Sequence, residues 1–155
     1  MEIRVEPYDS PAAQALIAEV QQEYVRRYGG GDTTPVDPAE FVAPNGAFLV
    51  GYVDGVPLAC GGWRVNGGDA EIKRMYVAPA GRGRGLARRI LAGLEASAAA
   101  AGIRRTILET GSKQPEAIAL YTSSGYSRIP GFGIYAGEPD CRCFAKQLDV
   151  PAPIS

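Results

Sequence analysis

Between Val77 and Ala87 the chain reads Val-Ala-Pro-Ala-Gly-Arg-Gly-Arg-Gly-Leu-Ala. Residue types at this spacing suit an anion: glycines admit an oxygen close to the backbone, several N–H groups converge, and a helix begins where the glycines end. A phosphate cradle is the chemistry to expect. Two nucleotide motifs fail on spacing, because no Gly-Lys-Ser/Thr closes a P-loop and a dinucleotide fingerprint begun at Gly81 or Gly83 meets Leu86 or Arg88 at its third glycine. The chain has no histidine, which removes Ser-His-Asp and Cys-His nucleophilic machinery and the commonest zinc ligand. Cys60, Cys141 and Cys143 make neither a metal quartet nor an even disulfide framework, so no metal site is expected and the thiols read as reduced. Cys141 and Cys143 stand two apart in a strand, hence on one face, and read as small hydrophobes.

The elements that must position this loop follow from periodicity and turn chemistry. A short strand over 3–6 leads through Ser10, a helix N-cap, and Pro11, suited to the first helical position, into a helix with apolar positions Ala13, Leu16, Ile17, Val20, Tyr24 and Tyr28. Gly29-Gly30-Gly31 stops it. Residues 32–45 read as a loop with one helical turn near 37–41, and a loop of that length in a compact domain points to function. Asp54-Gly55 joins strands over 47–53 and 56–65 as a type I′ hairpin, and Asn66-Gly67-Gly68 turns into a third strand over 70–77. The helix over 86–101 is Ala- and Leu-rich, and the strand over 106–109 returns beside the third strand, a parallel crossover. A helix over 115–123 and strands over 126–129 and 141–148 complete the chain, with the segment 130–140 as a second loop shaping a pocket.

The 155 residues fit one domain, 1–149, with a loose tail over 150–155. Hydrophobic residues are 46% and charged residues 21%, ordinary for a globular chain. Sixteen basic and 17 acidic side chains leave a net charge of -1, so nothing global draws the protein to nucleic acid or a membrane surface. No segment has the look of a leader or a membrane span, and a cytoplasmic location is expected.

Arg82-Gly83-Arg84-Gly85-Leu86-Ala87 matches Q/R-x-x-G-x-G/A, and the chain here resembles the GNAT superfamily of acyl-CoA-dependent N-acetyltransferases. In that family the motif follows a strand of pattern Glu-x-x-x-x-x-Val, here Glu71 to Val77. It precedes N-x-x-A-x-x-L-Y-x-x-x-G-F/Y, here Gln114 to Tyr126 with Ala117, Leu120, Tyr121 and Gly125 in place. The resemblance implies an α/β (α+β) fold, one domain with a mixed central sheet of six to seven strands flanked by about four helices. It implies acetyl-CoA as cosubstrate, held by Met75, Tyr76 and Val77 on the strand, by Arg82, Gly83, Arg84, Gly85, Leu86 and Ala87 in the loop, and by Gln114 and Ala117. Gln114 stands where many relatives carry Asn, which lengthens the reach of its amide. Thr122 and Ser123 replace basic residues, for which Arg84, Arg88 and Arg89 are available to compensate.

The roles that the resemblance implies are direct attack of a primary amine on the thioester, with neither metal nor acyl-enzyme. Glu71 is the expected base, acting through water, and Tyr121 the expected acid for the departing thiol, with the Val77 N–H polarising the carbonyl. Beside these stand plainer readings: Glu71 as an ordinary exposed strand residue paired with Lys73 or Arg74, and Tyr121 as a buried packing tyrosine. Tyr24, Tyr28, Phe132 and Tyr135 are candidates for the wall of a pocket that takes a small-molecule or peptide amine. The acceptor's identity, the acyl group and the choice between monomer and homodimer are open. A domain that binds acyl-CoA or a metabolite without turnover is the alternative, as is an α/β binding domain with no CoA. Thiol release with an amine separates enzyme from sensor, and saturable CoA binding excludes the last reading.

Overall fold

A computed structural model describes residues 1–149; the expected tail, 150–155, lies outside them. The order is β1 (Glu2–Val5), α1 (Pro11–Tyr28), a 3₁₀ turn (Pro38–Phe41), β2 (Gly46–Val53), β3 (Val56–Asn66), β4 (Asp69–Val77), a 3₁₀ turn (Pro79–Gly81), α2 (Leu86–Ala100), β5 (Arg105–Gly111), α3 (Pro115–Ser123), β6 (Ser127–Ile129) and β7 (Cys141–Gln147). Among the described residues there are three α-helices and two 3₁₀ turns, roughly the four helices expected. The sheet has seven strands in the order β1-β2-β3-β4-β5-β7-β6. Every pairing is antiparallel except β4 with β5.

Local chemistry accounts for the ends. The Ser10 hydroxyl accepts from the Ala13 N–H at 3.2 Å and starts α1, and Gly29 closes it in the left-handed region at φ 80°. Asp54 and Gly55 have φ of 50° and 78°, and Gly67 and Gly68 have 58° and 93°, the positive angles that two-residue hairpin loops demand.

Alternate residues of the sheet pack against different helices. Leu49, Ala59, Trp63, Ile72, Leu108 and Phe144 meet Ile90, Leu91, Leu94 and Ala98 of α2 and Tyr121 of α3. Phe48, Val50, Cys60 and Tyr76 meet Ala13, Leu16, Ile17 and Val20 of α1 together with Tyr8 and Phe41. Each large aliphatic side chain so buried stabilises the fold by roughly 1.5–3 kcal/mol.

Two irregularities in β4 shape the site. Its parallel ladder with β5 runs only from Ala70↔Thr106 to Ile72↔Leu108, while β4 itself continues to Val77. From Lys73 onward β4 has no strand on that side among the described residues. The register with β3 also slips between Cys60 and Gly62, and Arg74 lies at φ 60°. The extra residue interrupts the alternation, so that Lys73 and Arg74 in succession both reach Asp32 on the α1 side.

Candidate active site

Where β4 and β5 part, a cavity of about 440 Å³ opens on the α1 side. Tyr24 and Tyr28 from the last turns of α1, Asp32 and Thr33 after the triple glycine, and Lys73 of β4 form one wall. Glu109, Thr110 and Gly111 of β5, Lys113 and Gln114 before α3, and Tyr135, Glu138, Asp140 and Cys141 from the 130–140 side complete it. The apolar stripe of α1 thus divides: Ala13 to Val20 serve the core, whereas Tyr24 and Tyr28 are half-buried and line the cavity. A Cβ on Gly111 would fall 1.7 Å from the Tyr28 hydroxyl, so only glycine lets that ring lie against β5. Tyr135 accepts from the Thr33 N–H at 2.7 Å and thereby joins the two loops. Phe132 is half-buried in its loop and is not among the lining residues.

Charges in the cavity fall into two kinds. Asp32 accepts from Lys73 Nζ at 2.7 Å and from the buried Arg74 guanidinium. Burial opposes its ionisation, but Lys73 and bonds from Thr34 outweigh that and hold its carboxyl far below the ordinary range. Glu109 is different. Burial pushes its pKa up, the nearby carboxylates of Glu71 and Asp32 add to the rise, and Lys73 and the Cys141 thiol offset it only in part. The Cys141 thiol, which donates to Glu109 Oε2 at 3.5 Å, is itself pushed up to about 12, by burial first and then by Cys143 and Glu109.

Glu71 stands elsewhere. It is 3% exposed, and its Oε1 accepts from Arg64 Nε at 3.0 Å and from Asn66 at 3.4 Å. Arg64 also donates to Glu40 at 3.0 Å and to the Pro35 carbonyl at 2.8 Å. The partner expected among Lys73 and Arg74 is Arg64 instead: Lys73, on the same face as Glu71, is bonded to Asp32, and the bulge turns Arg74 to the same carboxylate. Glu71 borders a separate recess with Pro35, Asp37 and Glu40, not the cavity of Glu109.

Tyr121 is buried among Tyr126 and Phe144, with ring centroids 5.7 and 6.4 Å away. Burial alone raises its pKa. Burial first, and then the charge Tyr121 would carry, raise the pKa of Tyr24. Gln114 Oε1 accepts from Tyr28 Oη, Thr110 Oγ1 and the Gly111 N–H, each at 3.4 Å. Ala117 is half-buried beside the α2-side core, as are Met75 and Val77. Tyr76 points the other way, donating to Glu19 at 3.3 Å.

The Gly/Arg loop leaves its backbone open. Gly83 and Gly85 lie at φ 78° and 71°, and a Cβ on either would meet nothing within 4 Å. Gly85 caps α2 without a side-chain bond, and the first turn carries no acid. Arg82 donates to the Val77 carbonyl at 3.2 Å and to Glu23 at 3.1 Å, and Arg84 is exposed. Arg88 donates to Ser123 and Ser124 at 2.9 and 3.1 Å, while Arg89 reaches the Met1 carbonyl.

Asp32, Glu138 and Asp140 come from the two loops expected to shape the pocket, whereas sequence reasoning passed over Lys73, Glu109, Lys113 and Cys141 as lining groups. The available signal for Glu109 was its place at the end of the strand that leaves β4.

A mixed sheet split between its parallel strands, beside an uncapped helix N-terminus, agrees with the class that the sequence resemblance implies, the acyl-CoA-dependent acyltransferases. A family model for the acetyltransferase (GNAT) family matches residues 15–126. An IAA acetyltransferase of Azospirillum brasilense is 34% identical over 139 residues, 84% of this chain and 89% of that protein. The N-acetyltransferase YjgM of Escherichia coli is 32% identical over 143 residues, 86% and 85% of the two chains. The crystal structure of a candidate acyl-CoA N-acyltransferase from Klebsiella pneumoniae has a TM-score of 0.78 at 30% identity, covering 96% of this chain and 97% of that one. PaiA N-acetyltransferase from Thermoplasma acidophilum, solved with coenzyme A, has the same fold, with a TM-score of 0.69 at 12% identity over 95% and 99%. The chain belongs to the GNAT family of acetyltransferases. It is an N-acetyltransferase that takes its acetyl group from acetyl-CoA.

Proposed function

We propose that this enzyme acetylates a small or peptide primary amine carrying positive charge, by direct attack, with Glu109 as the base. The observation that carries the proposal is Glu109 itself, a half-buried carboxylate with a raised pKa in the cavity where β4 and β5 part. A cationic acceptor suits the lining, in which Asp32, Glu109, Glu138 and Asp140 face Lys73 and Lys113.

Acetyl-CoA supplies an activated acetyl thioester. The fit of this chain to it rests on the start of α2. There Arg88 stands in the first turn, no acid does, and no side chain caps the helix. Cations at a helix N-terminus oppose its dipole, so an anion received there relieves a cost the chain otherwise carries. The N–H groups of Gly83 to Ala87 would hold the pyrophosphate, with Arg82 and Arg84 beside them. Met75, Tyr76 and Val77 offer the backbone edge that β5 leaves free to the pantetheine arm, and Gln114 and Ala117 border the other side.

The proton path follows from the side chains. An amine of pKa near 10.4 is only about one part in two thousand neutral at pH 7, so it must surrender a proton before it can attack. Glu109 takes that proton, through water. The Val77 N–H polarises the carbonyl. Tyr121 stands as donor to the departing thiolate, whose pKa is near 8.5; burial raises the phenol's own pKa and so makes it a weaker acid than a free tyrosine. Cys141 remains a thiol at neutral pH and does not compete as nucleophile. Thiol release from acetyl-CoA with an amine panel, followed across pH, tests the assignment. In the wild type the rate falls in acid through a limb above the ordinary glutamate range, and Glu109→Gln lacks that limb. An unchanged limb in Glu109→Gln returns the base to Glu71.

A further inference from the structure

Cys141 and Cys143 do more than fill space. They lie two apart on one face of β7, and Cys143 is paired directly with Glu109 of β5. One ligand atom from each of Glu109, Cys141 and Cys143 lies within 4.8 Å of the others. The two sulfurs are 3.9 Å apart, and Cys141 Sγ is 3.5 Å from Glu109 Oε2. A tetrahedral zinc ion with sulfur at 2.3 Å and oxygen at 2.0 Å requires S···S of about 3.8 Å and S···O of about 3.5 Å. Two of the three separations already match those the ion imposes, and the third, Cys143 Sγ to a Glu109 oxygen, lies within 4.8 Å. Cys143 is buried, whereas Cys141 and Glu109 line the cavity, so the fourth position faces the acceptor space.

We propose that Glu109, Cys141 and Cys143 form a three-ligand site for a thiophilic divalent cation of the zinc type, open toward the acceptor cavity. Two thiols and a carboxylate are the donor set that borderline and soft cations select over magnesium or calcium. Binding exchanges two thiol protons for one dication, M²⁺ + 2 RSH giving M(SR)₂ + 2 H⁺, with the carboxylate as third ligand and no change of oxidation state. Sequence spacing alone concealed the site, since two cysteines make no quartet and the third ligand comes from another strand. The site stands on this geometry. Its consequence for catalysis rests on Glu109 as base: a cation on that carboxylate removes it from proton transfer.

Cadmium is the direct probe, because cadmium thiolates absorb in the ultraviolet. Titrating the reduced, metal-free full chain with Cd²⁺, in the absence of CoA and amine, is expected to give a thiolate charge-transfer band saturating at one equivalent with release of two protons. Cys60 is fully buried and donates to the Arg74 carbonyl, so Cys60→Ala keeps the band. Cys143→Ser and Glu109→Gln each weaken binding by at least about tenfold, the cost of losing even an outer-shell partner. Absence of the band in the wild type, or its loss in Cys60→Ala but not in Cys143→Ser, overturns the site. Adding Zn²⁺ to the acetyl-transfer assay separates the two ideas. It slows the wild type more than Cys143→Ser, each measured against its own metal-free rate. A cadmium band without such slowing leaves the site standing and removes Glu109 as base.

Discussion

Glu71 and Glu109 stand on adjacent strands and face the same side of the sheet, yet their partners differ in kind. Glu71 is the more deeply buried and has a guanidinium against it, held in place by Glu40 and the Pro35 carbonyl. Glu109 is half-buried, and its hydrogen-bond partner is a thiol, while the nearby Lys73 is bonded to Asp32. Burial with a charged partner makes a structural ion pair, and burial without one stores a proton affinity that chemistry can use. Depth alone does not separate the roles of the two carboxylates.

Neutralising each residue in turn sharpens the contrast. Glu109→Gln is expected to lower turnover by about 10²–10⁴, the usual loss of a positioned base, and to abolish the acid limb. Its stability should move the other way. A carboxyl with a raised native pKa contributes stability below its unfolded pKa and loses it as pH rises through the native one, so at neutral pH the ionised side chain is a net cost. Thermal unfolding therefore shows Glu109→Gln at least as stable as the wild type. A large drop in melting temperature would mean that the two glutamates do the same job.

Glu71→Gln is the mirror experiment. It removes the charge from a buried pair, which costs about 3–5 kcal/mol when the remaining ion has no other partner, and the lower end applies here because Arg64 keeps Glu40. The melting temperature falls while the pH profile of the surviving activity keeps its limb. A vanished limb with intact stability would exchange the roles of the two residues.

The difference between these glutamates also marks where sequence reading stops. Backbone-dictated features were legible: Asp54-Gly55 and Gly67-Gly68 turn where they must, Ser10-Pro11 opens α1, and the Gly/Arg run lies between β4 and α2. So was the parallel pairing of β4 with β5. Side-chain partners across elements were not. Spacing along β4 tells which face Glu71 occupies, but Arg64 comes from β3, and the bulge that turns Arg74 to join Lys73 on Asp32 has no signature in residue type. The cavity's carboxylates come from a loop, a strand end and a second loop, which only the fold brings together.

Tyr121 extends the comparison to a neutral group. Tyr126, its neighbour in the same aromatic cluster, shares its hydroxyl with Thr106 at 2.8 Å and Glu95 at 2.9 Å. Burial alone sets the proton affinity of Tyr121, with no bonded partner entering. Tyr121→Phe is expected to slow turnover roughly ten- to a thousandfold with little change in stability, since a hydroxyl without a partner contributes nothing that its removal forfeits. Tyr126→Phe should do the reverse on a smaller scale, near 1 kcal/mol of stability. A wild-type rate in Tyr121→Phe would place both tyrosines in packing.

The smallest expected effect isolates the helix N-terminus. Gly85→Ala puts an L-residue at φ 71°, which costs about 1–2 kcal/mol whatever occupies the loop. The added methyl meets no atom of the protein within 4 Å. Any further loss must come from what the loop receives. The melting temperature without ligand reports the backbone cost, and the extra stabilisation by acetyl-CoA, about 2.7 kcal/mol at 100 times the dissociation constant for an unimpaired site, reports the approach of the phosphate. A variant that loses the first and keeps the second would show that the open N–H groups of α2 are free for a reason other than CoA. The division between satisfied and unsatisfied polar groups would then hold for the acceptor side of the split alone.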